Sequence, residues 1–147
     1  MMPAGRSETM PAPARLGEAA DRLVGCRFRL HGLDPATGLD CVGLVFASLV
    51  AIGRRPVAPR GYGLRNVAVD HWLDFAGRSG LEPAQGALGG DEVLLLSLGY
   101  GQHHMVITTG REEIVHAHAG LGRVVRHRRD PASAICARWR LGSSTQG

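Results

Sequence analysis

The spacing of apolar and polar positions divides the chain into a helical first half and a strand-rich second half. Residues 13–25 carry Leu16, Ala19, Ala20, Leu23 and Val24, the i, i+3, i+4, i+7 stripe of an amphipathic helix. Phe28 to Thr37, which contains Gly32 and Pro35, reads as a loop. From Cys41 the run CVGLVFASLVAIG is apolar all round except at Ser48, as expected of a helix buried on every side. Asp40 supplies an N-cap for it, and Gly53 a C-terminal stop. After a Pro- and Arg-rich loop, residues 66–79 form a third helix candidate through Val69, Trp72, Leu73 and Ala76.

Beyond Gly90 the period changes. Glu92 to Leu98, His104 to Thr109 and Glu113 to Ala119 read as short strands, the last two joined by a turn around Gly110. Arg123 to Arg128 alternates apolar with basic residues, and Ala134 to Leu141 forms a final strand. Helices followed by a run of antiparallel strands predict an α+β fold. We expect one domain over residues 13–141, a flexible lead-in over 1–12 and a flexible tail over 142–147.

Composition narrows this picture only slightly. With 147 residues, 44% of them hydrophobic and 20% charged, the chain is long enough to build a core without disulfide or metal. All 17 basic residues are arginine and the net charge is +4. Arg123, Arg126, Arg128, Arg129, Arg138 and Arg140 crowd the end of the sequence. They read as a solvated strand face or, alternatively, as a patch for an anionic partner. Only Trp139 interleaves with them, which argues against a stacking platform for nucleic acid. Cys26, Cys41 and Cys136 are odd in number and widely spaced, so they suggest neither a disulfide framework nor a CxxC metal site. The first fifteen residues lack the apolar run of a secretory signal, and no segment approaches the roughly 18 apolar residues of a membrane span. The expectation is a protein made in the cytoplasm.

Cys41 is the candidate nucleophile. Following Asp40, it falls in the first turn of the apolar helix, where free N–H groups and the helix dipole favour a thiolate. A buried structural cysteine is the plain alternative. Gly43 leaves room beside the thiol for a substrate backbone. The candidate base is a histidine from the strands. His104 and His116 stand twelve residues apart. If the turn between their strands has an odd number of residues, such as 110–112, they are diagonal neighbours on one sheet face; an even turn separates them. In the first case His104 faces the thiol and His116 orients His104 from behind. His116 and His118 form a His-x-His pair of the kind zinc uses, but no third ligand is placed near them, and no metal or cofactor is expected. His103, His118, His71, His127 and His31 read as surface or loop residues.

These elements, taken together, resemble the NlpC family of papain-like bacterial cell-wall peptidases. The residues that carry the resemblance are Phe28-Arg29-Leu30-His31-Gly32, Asp40-Cys41-Val42-Gly43-Leu44, Gly90-Asp91-Glu92-Val93, His104-Met105-Val106-Ile107 and Ile114-Val115-His116-Ala117. The resemblance covers residues 13–141. It implies a papain-like fold, with the nucleophile heading a central helix packed on an antiparallel sheet. It also implies a Cys41–His104–His116 triad that cuts an amide in peptidoglycan stem peptides, with Asp40, Phe28 and Gly43 at the substrate site. His116-Ala117-His118 and Arg138-Trp139-Arg140 further resemble a subgroup encoded with phage tails and gene-transfer agents. That resemblance implies hub proteins of a tail particle as partners, and the particle as the vehicle to the wall.

Two positions depart from the family pattern. Phe28 stands where a Tyr hydroxyl is implicated in the substrate site or in oxyanion stabilisation, and Phe donates no hydrogen bond. Val42 replaces a Ser that follows the nucleophile. The backbone N–H of Cys41 is retained as an oxyanion donor whatever the side chains are. The alternatives to a peptidase are a structural tail or assembly protein on the same fold, or an acyltransferase or deamidase using the same thiol.

Overall fold

The computed structural model describes residues 11–57, 69–99, 102–110 and 112–142. Most of the lead-in and tail, the start of the third helix candidate and much of the Pro- and Arg-rich loop lie outside them.

The first helix, α1 (Leu16–Asp21), is shorter than its apolar stripe predicts. Its C-cap is Arg22, and Gly25 then turns with φ 98°. There its N–H donates to Val124 O at 2.9 Å. A long-range contact thus captures the chain before the periodic residues end; Leu23 still packs on the core. Gly17 lies where a Cβ would sit 2.8 Å from both Asp91 Oδ1 and Thr108 O, so the absence of a side chain sets how closely α1 meets the sheet.

The stretch read as a loop contains a small antiparallel pair, β1 (Leu33–Asp34) and β2 (Gly38–Leu39). Two residues per strand are too few for periodicity to register. The central helix α2 (Cys41–Ala51) begins and ends as its sequence predicts. Asp40 has extended backbone and its side chain accepts from Gly43 N–H, while Gly53 takes φ 88° beyond the last turn. Val42, Leu44, Val45 and Leu49 are fully or almost fully buried. Such side chains contribute roughly 1.5–3 kcal/mol each, an upper bound given residual burial in the unfolded chain.

After α3 (Val69–Arg78) the sheet is built from β3 (Leu81–Pro83), β4 (Val93–Gly99), β5 (Gln102–Thr108), β6 (Glu113–His118), β7 (Arg123–Arg128) and β8 (Ala134–Leu141). Its order is β3-β8-β4-β5-β6-β7, antiparallel throughout. β3 has no clear sequence signal, since it is short and ends in a proline tolerated at a sheet edge. One face presents Val93, Leu95, Met105, Ile107, Val115, Ala117, Val124 and Trp139 to α2 and α3. The opposite face buries Leu94, Leu96, Val106 and Ile114 under Leu88 and Ile135. This is the α+β arrangement the pattern predicts, with a buried helix packed on an antiparallel sheet.

The arginines of the last strands are mostly committed within the chain. Arg126 bridges Asp21 and Glu113, Arg128 meets Glu112, and Arg138 and Arg140 both hold Glu92. Carboxylates of the same chain thus account for these cations without an external anion.

Gly43 owes its identity to packing. A Cβ there would stand 1.8 Å from Gly32 O, so the loop backbone occupies the space that the sequence reading reserves for substrate. Alanine would gain up to about 1 kcal/mol in helix propensity, which is less than the cost of moving a buried carbonyl. Gly43→Ala is therefore expected to lose about 3 kcal/mol, the upper range for overpacking. Chemical denaturation checks this; a variant as stable as the parent would show that the loop moves freely.

Candidate active site

Three elements converge at the head of α2. The first is the cap. Asp40 is 1% exposed; its Oδ1 accepts from Gly43 N–H at 2.8 Å and its Oδ2 from His31 N–H at 2.7 Å. One carboxylate thereby fixes the helix start and ties down the 29–32 loop, in which His31 adopts φ 63°. Phe28 bridges to Leu39 in parallel fashion, donates its N–H to Gly122 O and lies half-buried against the core. It flanks the cap from the side of the β6–β7 turn.

The second element is the thiol. Cys41 is 8% exposed. The backbone N–H groups of Met105, Val42 and Cys41 itself point toward the sulfur. Burial nonetheless pushes the thiol up to about 12, and the Asp40 carboxylate adds to that shift. The helix terminus alone predicts the opposite direction; here desolvation outweighs the N–H groups. Contact with the Met105 amide places the sulfur beside the residue that follows His104.

The third element is the histidines. Thr109 N–H donates to Glu113 O at 3.0 Å, so an odd number of residues separates the two. β5 pairs Ile107 with Val115 and Thr108 with Ile114. Continued, that register sets His116 opposite Val106 and diagonal to His104. The rings meet accordingly, with His104 Nε2 2.8 Å from His116 Nδ1 and their planes at 87°. Burial, with a smaller contribution from the charge of His118, lowers His104 to about 4. Burial likewise lowers His116 to about 3, assisted by His104, His127 and His118. Both rings rest neutral at pH 7. Among the described residues, no hydrogen bond joins the Cys41 sulfur to the His104 ring. Catalytic contacts of this kind often close only when substrate binds.

His127 is the residue the sequence reading does not bring forward. It lies on β7, which pairs antiparallel with β6 and sets Ile114 opposite His127 and His116 opposite Val125. His127 Nε2 stands 2.6 Å from His116 Nε2, and its Nδ1 stands 2.6 Å from Arg128 O. The signal is present in the spacing. Four residues, 119–122, separate His118 from Arg123, and that turn puts positions 116, 125 and 127 on one face. His118, by contrast, accepts from Leu121 N–H at its Nδ1 and approaches His116 only at 5.5 Å between ring centres. No group of three metal-ligating side chains is present among the described residues.

Solved structures share this architecture. NlpC2 from Trichomonas vaginalis superposes over 90% of this chain with a TM-score of 0.64 at 14% identity. The P60 domain of an antigen from M. avium subspecies paratuberculosis does so over 88%, with a TM-score of 0.58 at 19% identity. The fold is that of the NlpC and P60 proteins. The peptidoglycan hydrolase RipB from Mycobacterium tuberculosis has it too, over 98% of this chain and 74% of its own, with a TM-score of 0.50 at 17% identity. This chain spans 94% of the P60 domain but only 49% of NlpC2. No family sequence profile matches the chain, and no curated protein sequence does. Within the NlpC/P60 fold, the capped helix and the two rings are the features that bear on chemistry.

Proposed function

We propose that the chain is a cysteine peptidase or amidase that hydrolyses an amide bond in peptidoglycan stem peptides. The observation that carries this reading is the His104–His116 ring pair, on the strand whose Met105 amide points toward the cysteine sulfur at a capped helix head. His104 Nε2 is engaged by His116, so Nδ1 is the nitrogen that faces reaction. Cys41 Sγ attacks the amide carbonyl carbon while its proton passes to His104 Nδ1. The Cys41 N–H stabilises the oxyanion. Collapse expels the amine, which takes the proton from His104, and leaves a thioester. His104 then deprotonates water for hydrolysis, and the thiol is regenerated.

Because thiol and imidazole rest neutral, the proton moves only as the sulfur bonds to carbon. Phe28 offers no hydroxyl to the oxyanion and contributes shape alone. Asp40, with both oxygens engaged by backbone, serves the site by holding the helix head in place.

Peptidoglycan as substrate rests on the sequence resemblance and on a fold shared with a peptidoglycan hydrolase. Action from a phage-like tail particle, with hub proteins as partners, rests on the likeness of His116-Ala117-His118 and Arg138-Trp139-Arg140 to the tail-encoded subgroup. Incubation with purified stem-peptide fragments, read by mass spectrometry, is expected to yield two products whose masses sum to substrate plus water. Intact fragments would favour the structural tail role, and product formed only with an added amine would favour acyl transfer.

The low position of His104 sets the acid limb. An ordinary histidine takes up its proton near pH 6.5, whereas His104 stays a neutral base down to about pH 4. The kcat/KM profile is expected to hold level from pH 7 to about 5 and to fall near pH 4. A limb at pH 6–7 would contradict the desolvated base.

A further inference from the structure

We propose that His127 is a positioning residue. It and the Arg128 carbonyl form the far end of a hydrogen-bond chain that selects which nitrogen of His104 is bare. The inference rests on reading Cys41 and His104 as nucleophile and base, and it adds a fourth member behind them.

The argument is one of donors and acceptors. A backbone carbonyl only accepts, so the 2.6 Å contact between His127 Nδ1 and Arg128 O requires the proton on Nδ1. A neutral imidazole carries one ring proton, so His127 Nε2 is bare and accepts. Its partner at 2.6 Å is His116 Nε2, which must then donate. His116 Nδ1 is consequently bare and accepts from His104 Nε2–H at 2.8 Å. That leaves His104 Nδ1 bare, in the form that can take a proton from the thiol. Reversing any one proton reverses every ring before it and places a proton on His104 Nδ1, where it blocks the base.

The carbonyl is the fixed reference, since a peptide oxygen cannot change role. His118 stays outside the chain, because its Nδ1 is used by Leu121 N–H. His127 itself is exposed and contributes nothing to the core, so its ring is dispensable for packing. The arrangement costs β7 a histidine among arginines, at a place where neither charge pairing nor burial calls for one. When imidazolium forms on His104, the chain lets His116 remain its acceptor without rearrangement. The same logic underlies the orienting of ligand and catalytic histidines by groups behind them.

The test uses the full chain labelled with ¹⁵N-histidine at about pH 8, where an ordinary imidazole is neutral. Long-range ¹H–¹⁵N correlation spectra report which ring nitrogen is bare. His104 and His116 are expected with Nδ1 bare and Nε2 protonated, and His127 with the reverse. In His127→Ala, His116 loses its acceptor, and His104 should shift toward mixed tautomers. In His127→Gln, whose side-chain oxygen can accept at the same place, the parental pattern should return. On a stem-peptide substrate, kcat should fall about tenfold to a hundredfold in the alanine variant, the range for orienting partners, with KM unchanged and recovery in the glutamine variant. Parental nitrogen shifts in His127→Ala, or a protonated His104 Nδ1 in the parent, would overturn the chain. The spectra need no substrate. A protein that cuts no stem peptide but shows the tautomer response fails the peptidase reading alone; an active protein without the response fails this inference alone.

Discussion

Cys41→Ala is expected to abolish amide hydrolysis, slowing turnover about ten-thousandfold or more by comparison with nucleophile removal in other covalent hydrolases. The effect is large because neither of the other two cysteines can take its place. Cys26 packs partly against the core and Cys136 is exposed on β8; neither heads a helix. The same substitution should scarcely disturb the fold. It removes one sulfur from a side chain already at the core boundary, a loss of about 1 kcal/mol on the scale of small core truncations. The measurement pairs rate with melting temperature. A variant that melts with the parent but releases no product assigns the loss to chemistry. A variant that retains even a tenth of the parent rate removes Cys41 from the mechanism.

The largest expected effect on stability lies at the other end of the sheet. Glu92 has a side chain with no exposure at all. Arg138 meets its Oε1 through Nε at 2.8 Å and its Oε2 through Nη2 at 3.0 Å. Arg140 and Gly89 N–H also reach Oε2. Burial alone pushes this carboxyl up, yet Arg138, Gly89 and Arg140 together hold it below its usual position. Arg138→Ala strips the paired donors and leaves a buried carboxylate half-satisfied. Breaking such a pair from one side costs about 3–5 kcal/mol, and Arg140 and Gly89 keep the value toward the lower end. Urea denaturation at pH 7 reads this directly. A Glu92→Met, Arg138→Met double variant should lose less than Arg138→Ala alone, because it leaves no charge stranded. If the single change costs under about 1 kcal/mol, the worth of an exposed pair, the carboxylate is hydrated in solution and the buried pair is not a stability element.

The sign of the pH effect follows from the same group. A carboxyl held low in the fold contributes stability that is complete above its unfolded value. That contribution is lost as the pH falls through the folded one. The Glu92 cluster therefore weakens as the pH falls below the ordinary carboxylate range.

How much of the molecule is legible in its sequence depends on how far each signal reaches along the chain. The capped helix at Cys41 is legible because Asp40, the apolar run and Gly53 are all local. The His104–His116 contact is legible on a condition, the parity of one turn, and the Thr109–Glu113 hydrogen bond meets that condition. The apolar stripe overestimates α1 because Gly25 answers to Val124, a residue far along the chain. β1, β2 and β3 escape detection because strands of two or three residues have no period. The thiol shifts against the expected direction because a helix terminus is visible in sequence and desolvation is not. Gly43 reads as space for substrate, whereas its neighbour is Gly32. His127 lies within reach of the same parity argument, carried one hairpin further.

β8 leaves the ribosome after the other strands of its sheet, yet it lies between β3 and β4. A nascent chain can cap α2 and pair β4 with β5, β6 and β7 while residues 134–141 are still in the exit tunnel. In that interval Glu92 has no guanidinium partner and the inner edge of β4 is open. Completion of the sheet must therefore wait until β8 has emerged. A chain cut short before Ala134 would hold a half-sheet with an unpartnered carboxylate at its open edge, a target for the quality-control proteases.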